Sequence, residues 1–352
     1  MPVWISHLGY ALPGPAIAQA DFANWMAQRL PAGSDPSRLL RFASRTGVDT
    51  RHAVLDLLGP EGELFYPRSG QPADALVRSQ AYVRLAPPLA VAAVRAACPD
   101  GVGRVTHLVV ATCTGSVAPG LDLMLVQALG LSPSVRRTMI GFMGCYAAMP
   151  ALRVAWDAVR AEPTARVLVV CCELSSLHLH TGPDDDALIG ACLFADGASA
   201  AVVEASPDPI GTRLRLIRDA CAVIPDTADE MAWVAAADGF RLKLSQAVSS
   251  SLGGALPGLT DGLLAGIPRD QCRFAVHPGG PRILSEVENV LALAPGALSA
   301  SREALRHGGN RSSATVLAII EDMCRSPWQG PLAAFAFGPG LTAEGLLLHR
   351  HT

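Results

Sequence analysis

The sequence has few charged residues and no long apolar segment, and these two absences narrow its class. Charged residues make up only 17% of the chain and the net charge is −3, so a nucleic-acid partner is not expected. No uncharged apolar run approaches the roughly 20 residues that span a bilayer. The first residues, MPVWISHLGYALPGP, lack the basic and apolar regions of a signal peptide. We therefore expect a chain with neither a membrane span nor a secretion signal.

A disulfide framework is also missing. The chain contains nine cysteines, an odd number without regular spacing, which indicates reduced thiols in a cytoplasmic protein. Half of its 352 residues are hydrophobic, so two large lobes can be built. Because only a small fraction of the residues is charged, oligomerisation is favoured.

Apolar runs of strand length alternate with helical patterns, which favours an α/β architecture with sheets covered on both faces. The predicted strands are 106-THLVVATC, 166-RVLVVCCEL, 192-CLFADGASAAVV, 272-CRFAVHPGG and 332-LAAFAFGPG. The segment 204-EASPDPIG has two prolines and a glycine and is typical of a linker. We therefore expect an N-terminal half at 1–205 and a C-terminal half at 206–352.

The two halves contain a degenerate internal repeat. Thr112 ends one apolar strand and Cys145 lies 33 residues later, and His277 and Asn310 are separated by the same 33 residues. Cys145 and Asn310 each precede a helical pattern, in GCYAAMPAL and GNRSSATVL. Two copies of one unit, related by pseudo-symmetry, would bring these two helix starts together at the centre.

Cys145 lies among glycine and alanine at a predicted helix start. A thiol at such a position near an imidazole has a lowered pKa and acts as a thiolate nucleophile. Small neighbours allow a carbonyl to approach the sulfur and backbone N–H groups to face the resulting oxyanion. The alternative is a buried cysteine that only packs as a small apolar side chain.

His277 and Asn310 are the candidate partners of this thiol. The imidazole ends a strand and enters Pro278-Gly279-Gly280, and the asparagine amide is a permanent donor for a carbonyl or enolate oxygen. Taken singly, they are also consistent with a strand-end histidine and an N-cap asparagine. A cysteine protease is disfavoured, because the asparagine here occupies the position that the cysteine has in the other half.

Four motifs, GCYAA, VHPGGPRIL, GGNRSSATVL and AFGPGLTAEG, resemble the chalcone-synthase-like type III polyketide synthases of the bacterial type. The resemblance extends from Arg38 to Glu344. It implies a homodimeric acyltransferase with an α/β thiolase-like fold, of two pseudo-symmetric halves in a layered αβαβα arrangement. The implied substrates are acyl-CoA and malonyl-CoA, with no permanently bound cofactor. The product would be a pyrone or a phenolic ring.

The resemblance also implies roles for individual residues. Cys145 would carry the acyl chain, and His277 and Asn310 would hold the malonyl thioester and stabilise its enolate. Phe194 matches a gatekeeper between the coenzyme A tunnel and the cavity. The residues expected around the substrate are Cys113, Glu173, His178, Phe194, Ser312, Phe337, Gly338 and Pro339.

The segment 34-SDPSRLLRFASRTG predicts a short helix with Asp35 as cap and Gly47 as stop. Arg38, Arg41 and Arg45 share one face of it. The family has cations at this spacing for the nucleotide phosphates of coenzyme A. A solvated basic stripe is the alternative.

Some positions depart from the plant enzymes of this family. Cys113 replaces a threonine, as in bacterial tetrahydroxynaphthalene synthases, and His178 replaces a small residue. A second gatekeeper phenylalanine is not evident in 244-LSQAVSSSLGGALPGL. A metal site is not expected, because the adjacent cysteines 171 and 172 would face opposite sides of a strand.

Two rival functions remain open from the sequence. One is a ketoacyl-synthase-III-like acyltransferase that moves an acyl group without chain extension. The other is an inactive thiolase-fold subunit that only binds acyl chains. The starter group, the number of extensions, the cyclisation mode and delivery by an acyl carrier protein are not specified by any motif.

Overall fold

The computed structural model describes residues 1–182, 184–206 and 212–351. The helices in this part of the chain are α1 (Gln19–Ala27), α2 (Pro36–Arg45), α3 (Pro60–Phe65), α4 (Ala75–Ala97), α5 (Leu121–Ala128), α6 (Ala148–Ala161), α7 (Asp185–Leu193), α8 (Val248–Leu264), α9 (Pro281–Val290), α10 (Ser299–Gly308) and α11 (Thr315–Cys324). The strands are β1 (Val3–Ala11), β2 (Ile17–Ala18), β3 (Thr50–Arg51), β4 (His107–Thr112), β5 (Arg136–Gly141), β6 (Arg166–Leu174), β7 (Asp196–Glu204), β8 (Leu214–Val223), β9 (Met231–Ala236), β10 (Gly239–Leu244), β11 (Arg273–Val276), β12 (Gly330–Gly338) and β13 (Thr342–Arg350). Short 3-10 turns lie at Gly144–Tyr146, Ser175–His178, Arg269–Gln271 and Ser312–Ala314.

The main sheet has nine strands in the order β11-β12-β13-β8-β1-β7-β6-β4-β5. Outward from its centre, β1-β7-β6-β4 on one side corresponds to β8-β13-β12-β11 on the other. On each side a parallel pair of strands is followed by antiparallel pairing toward the centre. The sequence repeat is therefore a structural repeat, and the prediction of two pseudo-symmetric halves is confirmed.

Alternate residues of the buried strands face different cores, which produces the layers. In β6, Val167 and Val169 pack in a central core, and Leu168 and Val170 pack in an outer one. The central core is formed by α6 and α11 between the two halves of the sheet. The outer cores are formed by α4 on the N-terminal side and by α8 and α9 on the C-terminal side. The predicted αβαβα layering is thus confirmed.

The predicted element boundaries need one correction. Residues 192–195 do not begin a strand, because α7 continues to Leu193 and β7 starts at Asp196. The proposed linker begins at the end of β7, and its residues 207–211 lie outside the described part. No helix among the described residues is long and apolar enough to cross a membrane.

The central layer provides a test of the fold. Leu152 of α6 is fully buried there, so Leu152→Ala should lower the free energy of unfolding by about 2–5 kcal/mol through cavity formation. Leu64→Ala, at a residue that is 74% exposed, should change it by less than about 0.5 kcal/mol. Urea unfolding at fixed protein concentration measures both. Equal effects would show that α6 is not part of a packed central layer.

Candidate active site

Cys145 lies in the 3-10 turn Gly144–Tyr146, between the edge strand β5 and helix α6. Two glycines bring this turn against the loop after β12. Gly144 has a φ of +79°, and a Cβ on it would lie 2.5 Å from Cδ of Pro339. A Cβ on Gly338 would lie 2.7 Å from Cδ1 of Tyr146. The small residues around the thiol therefore permit this close approach of two backbones.

Asn310 precedes the equivalent turn, Ser312–Ala314, and its amide is oriented by a local hydrogen bond. Its Oδ1 accepts from the backbone N–H of Ser312 at 2.8 Å, which leaves its NH₂ group as a donor for the site. The backbone of Asn310 also bonds on both sides of Phe194, to Leu193 O and Ala195 N, each at 2.9 Å. Asn310 and Phe194 are therefore held as one unit.

His277 follows β11 and is only 1% exposed. Its backbone N–H donates to Phe335 O at 2.8 Å, which ties it to β12 and so to the strand that ends at Gly338. Neither ring nitrogen has a partner among the described residues. Burial and the nearby Arg311 charge lower the pKa of His277 to about 3. The imidazole is therefore neutral at physiological pH and has two polar atoms available for a substrate.

The expected lowering of the thiol pKa is wrong for this structure. Burial raises the pKa of Cys145 to about 12, although hydrogen bonds from the Ser312 and Asn310 side chains oppose the rise. The sequence suggested a helix terminus and an imidazole, but it did not reveal that the thiol is enclosed and the imidazole uncharged. The resting site holds a neutral thiol and a neutral imidazole, rather than a standing thiolate.

Glu173 connects the two halves around the thiol. Its carboxylate accepts from Ser313 Oγ at 2.5 Å, from Thr114 Oγ1 at 2.8 Å and from the Cys113 backbone N–H at 3.0 Å. Burial raises its pKa to about 7, against the effect of these hydrogen bonds. The Cys113 sulfur in turn accepts from the Gly144 N–H at 3.0 Å. Glu173 and Cys113 thus fix the geometry of both turns.

A small cavity of about 30 Å³ lies beside these turns, and His178, Phe194 and Trp233 are among its lining residues. The rings of Phe194 and Trp233 are 6.3 Å apart, and those of His178 and Trp233 are 6.1 Å apart. The indole N–H of Trp233 donates to Cys113 O at 2.9 Å. Burial lowers the pKa of His178 to about 4, so this ring is neutral as well.

Sequence reasoning missed the wall of this cavity. The segment 244–259, where a second aromatic gatekeeper was sought, leads into helix α8, and the aromatic residue facing Phe194 is Trp233. Trp233 and Phe240 stack at 5.7 Å on the two-stranded hairpin of β9 and β10. The apolar residues 231–237, the dipeptide Asp238-Gly239 and the alternating residues 240–244 together form the hairpin signal that identifies this element.

The remaining predicted residues have distinct positions. Ser312 adopts a φ of +47° beside the thiol, in a region that non-glycine residues rarely occupy. Phe337 packs in the outer C-terminal core, because side chains alternate along β12, and its position at the substrate stays a prediction. The adjacent Cys171 and Cys172 face the central and outer cores respectively, as the strand argument against joint metal binding required.

The predicted arginine helix is confirmed as α2, which runs from Pro36 to Arg45 and whose cap residue Asp35 accepts from the Ser37 N–H at 2.9 Å. Arg41 and Arg45 are exposed, and no ion pair to either is found in the described part of the chain. Arg38 instead pairs with Asp185 at the start of α7. Two of the three cations are thus available to an anion without exchange of partners.

Comparison with known proteins places these features in a family. Residues 3–207 match the N-terminal domain of chalcone and stilbene synthases, and residues 215–352 match the C-terminal domain. The chain is 33% identical to type III polyketide synthase 10 of Oryza sativa subsp. japonica, over 97% of this chain and 90% of that one. It is 31% identical, with the same two coverages, to the alpha-pyrone synthesis polyketide synthase-like Pks18 of Mycobacterium tuberculosis.

One larger protein and one solved structure are also similar to this chain. The chain spans only 11% of probable polyketide synthase 1 of Dictyostelium discoideum, at 29% identity. It superposes with a TM-score of 0.91 and 25% identity on a mutant of CsyB complexed with CoA-SH, covering all of both chains.

The protonation state of the thiol can be tested directly. Because its pKa is raised, alkylation of Cys145 by iodoacetamide should accelerate by about tenfold per pH unit from pH 7 to pH 10. Peptide mass spectrometry measures the rate at this residue, with the exposed Cys221 as an internal reference for the reagent. A rate that is already constant below pH 8 would indicate a standing thiolate and contradict the neutral pair.

Proposed function

The chain belongs to the chalcone and stilbene synthase family and is a type III polyketide synthase, and we propose that its acyl chain grows on Cys145. The observation that supports this role is the meeting of two repeat-related turns at one thiol. Side chains from the C-terminal turn, those of Asn310 and Ser312, form hydrogen bonds to the thiol of the N-terminal turn. The halves that supply them would be 1–205 and 206–352.

Loading of the starter would use the neutral thiol of Cys145 and the neutral imidazole of His277. His277 takes the proton of the Cys145 thiol as the sulfur attacks the thioester carbonyl of an acyl-CoA. The tetrahedral intermediate collapses, and coenzyme A leaves as a thiol after His277 returns the proton. A neutral base with two unpartnered nitrogens suits this transfer better than an imidazolium. The site thereby avoids keeping a charged thiolate in a buried environment.

Extension would use the amide of Asn310. Malonyl-CoA loses CO₂, and the electron pair of the broken carbon–carbon bond forms an enolate whose oxygen accepts from the Asn310 NH₂ group and from His277. The enolate carbon then attacks the thioester on Cys145, which forms a carbon–carbon bond and releases the cysteine sulfur as a thiolate that takes a proton from solvent. The extended chain is now a thioester of coenzyme A, and its transfer back to the Cys145 thiol, with coenzyme A as the leaving thiol, would permit another extension. Cyclisation of the extended chain would release a pyrone or a phenolic ring.

The rival functions are less well supported. Named relatives with 90% of their length matched are polyketide synthases, including one named for pyrone synthesis, which favours chain extension over simple acyl transfer. Cys145, His277 and Asn310 are all buried, and the Asn310 side chain forms a hydrogen bond to the Cys145 thiol, which supports an active enzyme rather than an inert binding subunit. Because all nine cysteines are free, we place the enzyme in the cytoplasm.

Coenzyme A thioesters are the proposed substrates, with no permanently bound cofactor. The CsyB mutant, which covers the whole chain, is complexed with CoA-SH. Helix α2 supplies the cations for the nucleotide phosphates, and α7, which packs against α2, leads from there to Phe194. The backbone bonds of Leu193 and Ala195 to Asn310 support a substrate route that runs along α7 from the phosphate site toward the catalytic residues.

A homodimer is proposed from the edge strand β5. This strand pairs with β4 on one side and ends the nine-stranded sheet on the other. Met139 is 40% exposed on it, and Phe142, which follows it, is 51% exposed. An open edge with exposed apolar residues is a site for pairing with a second copy.

The three catalytic roles can be separated by mutation. Cys145→Ala should abolish the acyl-enzyme and the product but retain malonyl-CoA decarboxylation, which needs no covalent acyl group. Asn310→Ala should still load the starter, with decarboxylation reduced by roughly 10²–10³, the cost of one oxyanion donor. His277→Ala should impair both steps. Intact-protein mass and acetyl-CoA release measure them, with the exposed Asn289→Ala as control; loading on Cys145→Ala would contradict the nucleophile assignment.

The proposed phosphate contacts should act mainly on substrate binding. Arg41→Ala and Arg45→Ala should each raise the KM for coenzyme A thioesters by about two- to fivefold, with a smaller change in kcat, and the effect should shrink as salt rises. Arg95→Ala, an exposed arginine on α4, is the control and should change neither constant. Losses confined to kcat and independent of salt would show that α2 does not bind the phosphates.

The dimer is tested by sedimentation. At micromolar concentration the mass should be twice the 36.7 kDa of one chain. Met139→Glu, which places charge at the open edge, should shift the equilibrium toward monomers. Val223→Glu alters an equally apolar, 71% exposed residue of β8 and should leave the dimer intact. A monomeric unmodified protein, or dissociation by the β8 variant alone, would contradict an interface at β5.

A further inference from the structure

Helix α7 links the proposed nucleotide site to the cavity that Phe194 and Trp233 line. Its residues Asp186, Ala187, Gly190 and Ala191 line that cavity, and Phe194 follows its last turn. At its first turn it meets α2, the arginine helix. A movement of this helix would therefore affect both places.

The C-terminal end of α7 is firmly fixed. The buried Arg51 donates to the carbonyl oxygens of Ala191 at 2.6 Å and of Phe194 at 3.0 Å, and it also donates to that of Cys192. Its guanidinium thus satisfies carbonyls that the end of a helix leaves without partners. Since Phe194 is also bonded through its neighbours to Asn310, this end belongs to the catalytic framework.

The N-terminal end is held by a contact of another kind. Asp185 pairs with Arg38 of α2, and the two side chains are 50% and 42% exposed. Exposed ion pairs contribute little to stability, so this pair can exchange partners easily. A phosphate dianion carries more charge than a carboxylate and offers more acceptor oxygens, so it competes well for the same guanidinium.

The size of the cavity beside α7 indicates why the ion pair between Asp185 and Arg38 would have to separate. Its volume of about 30 Å³ leaves room for only a few water molecules, far less than an acylated pantetheine arm requires. On the proposed route along α7, one wall must therefore move before a thioester can reach Cys145. The first turns of α7 form a wall whose contact with α2 is exchangeable, whereas the last turn is fixed by Arg51.

We propose that Asp185 is a specificity-determining residue, and that its ion pair with Arg38 keeps α7 closed until a nucleotide phosphate takes Arg38. Asp185 then separates from α2 and the first turns of α7 open the cavity. The enzyme thereby selects thioesters that carry the nucleotide of coenzyme A over thioesters that end at the pantetheine arm. This inference rests on the proposed function, since it takes Arg38 as a phosphate ligand.

The test compares two donors of the same acyl group, acyl-CoA and the acyl thioester of N-acetylcysteamine, which lacks the nucleotide. Loading of Cys145 is followed by intact-protein mass in single turnovers. Asp185→Asn should raise the loading efficiency with the truncated donor by about two- to fivefold, the range expected for an exposed ion pair, and should change that with acyl-CoA less. Asp21→Asn, an exposed aspartate of α1, is the control for charge and should alter neither.

A second variant tests whether the Arg38–Asp185 ion pair acts as a latch that keeps α7 closed, or whether Arg38 only attracts the phosphates of the donor. Arg38→Gln should lower loading from acyl-CoA but raise loading from the truncated donor, because it removes a phosphate ligand and opens the latch at once. If both variants leave the truncated donor unchanged, or if Arg38→Gln lowers loading from both donors, the latch is wrong while the proposed function stands. Absence of loading from acyl-CoA by the unmodified enzyme would contradict the proposed function itself.

Discussion

The burial of α6 and α11 between the two halves of the sheet is the constraint on which the site depends. Each helix begins at a 3-10 turn, and a residue that we propose to be catalytic lies in the first turn, Cys145, and just before the second, Asn310. Because the helices share one central core, the two turns are fixed relative to each other by the same packing that stabilises the fold. Glu173 adds a direct link, since its carboxylate bonds residues of both halves.

The same burial sets the protonation states at the site. It raises the pKa of Cys145 to about 12 and lowers that of His277 to about 3, so both groups are neutral at rest. A neutral pair avoids the cost of a charge in a dry interior, and in the proposed mechanism it transfers a proton when a substrate carbonyl arrives. Under the proposed mechanism, the thiol is therefore deprotonated only when the substrate is present.

Much of the fold and the site follows from the sequence, and the parts that do not have physical reasons. The cap Asp35 and the stop Gly47 identify α2, and the equal spacing of Cys145 and Asn310 identifies the repeat, because these features depend on local rules. The direction of the Cys145 pKa shift depends on burial by residues distant in the sequence and, to a smaller extent, on the charge of Glu173. The position of Trp233 opposite Phe194 depends on how a separate hairpin folds over the site, which local patterns do not specify.

The central claim is that this chain condenses malonyl units onto an acyl group held on Cys145. Incubation with an acyl-CoA starter and uniformly ¹³C-labelled malonyl-CoA, with products and gas read by mass spectrometry, tests it directly. The account predicts a product heavier by labelled two-carbon units, with one labelled CO₂ released for each unit added. Transfer of the starter without labelled carbon in the product, or CO₂ release without any extended product from the unmodified enzyme, would contradict it.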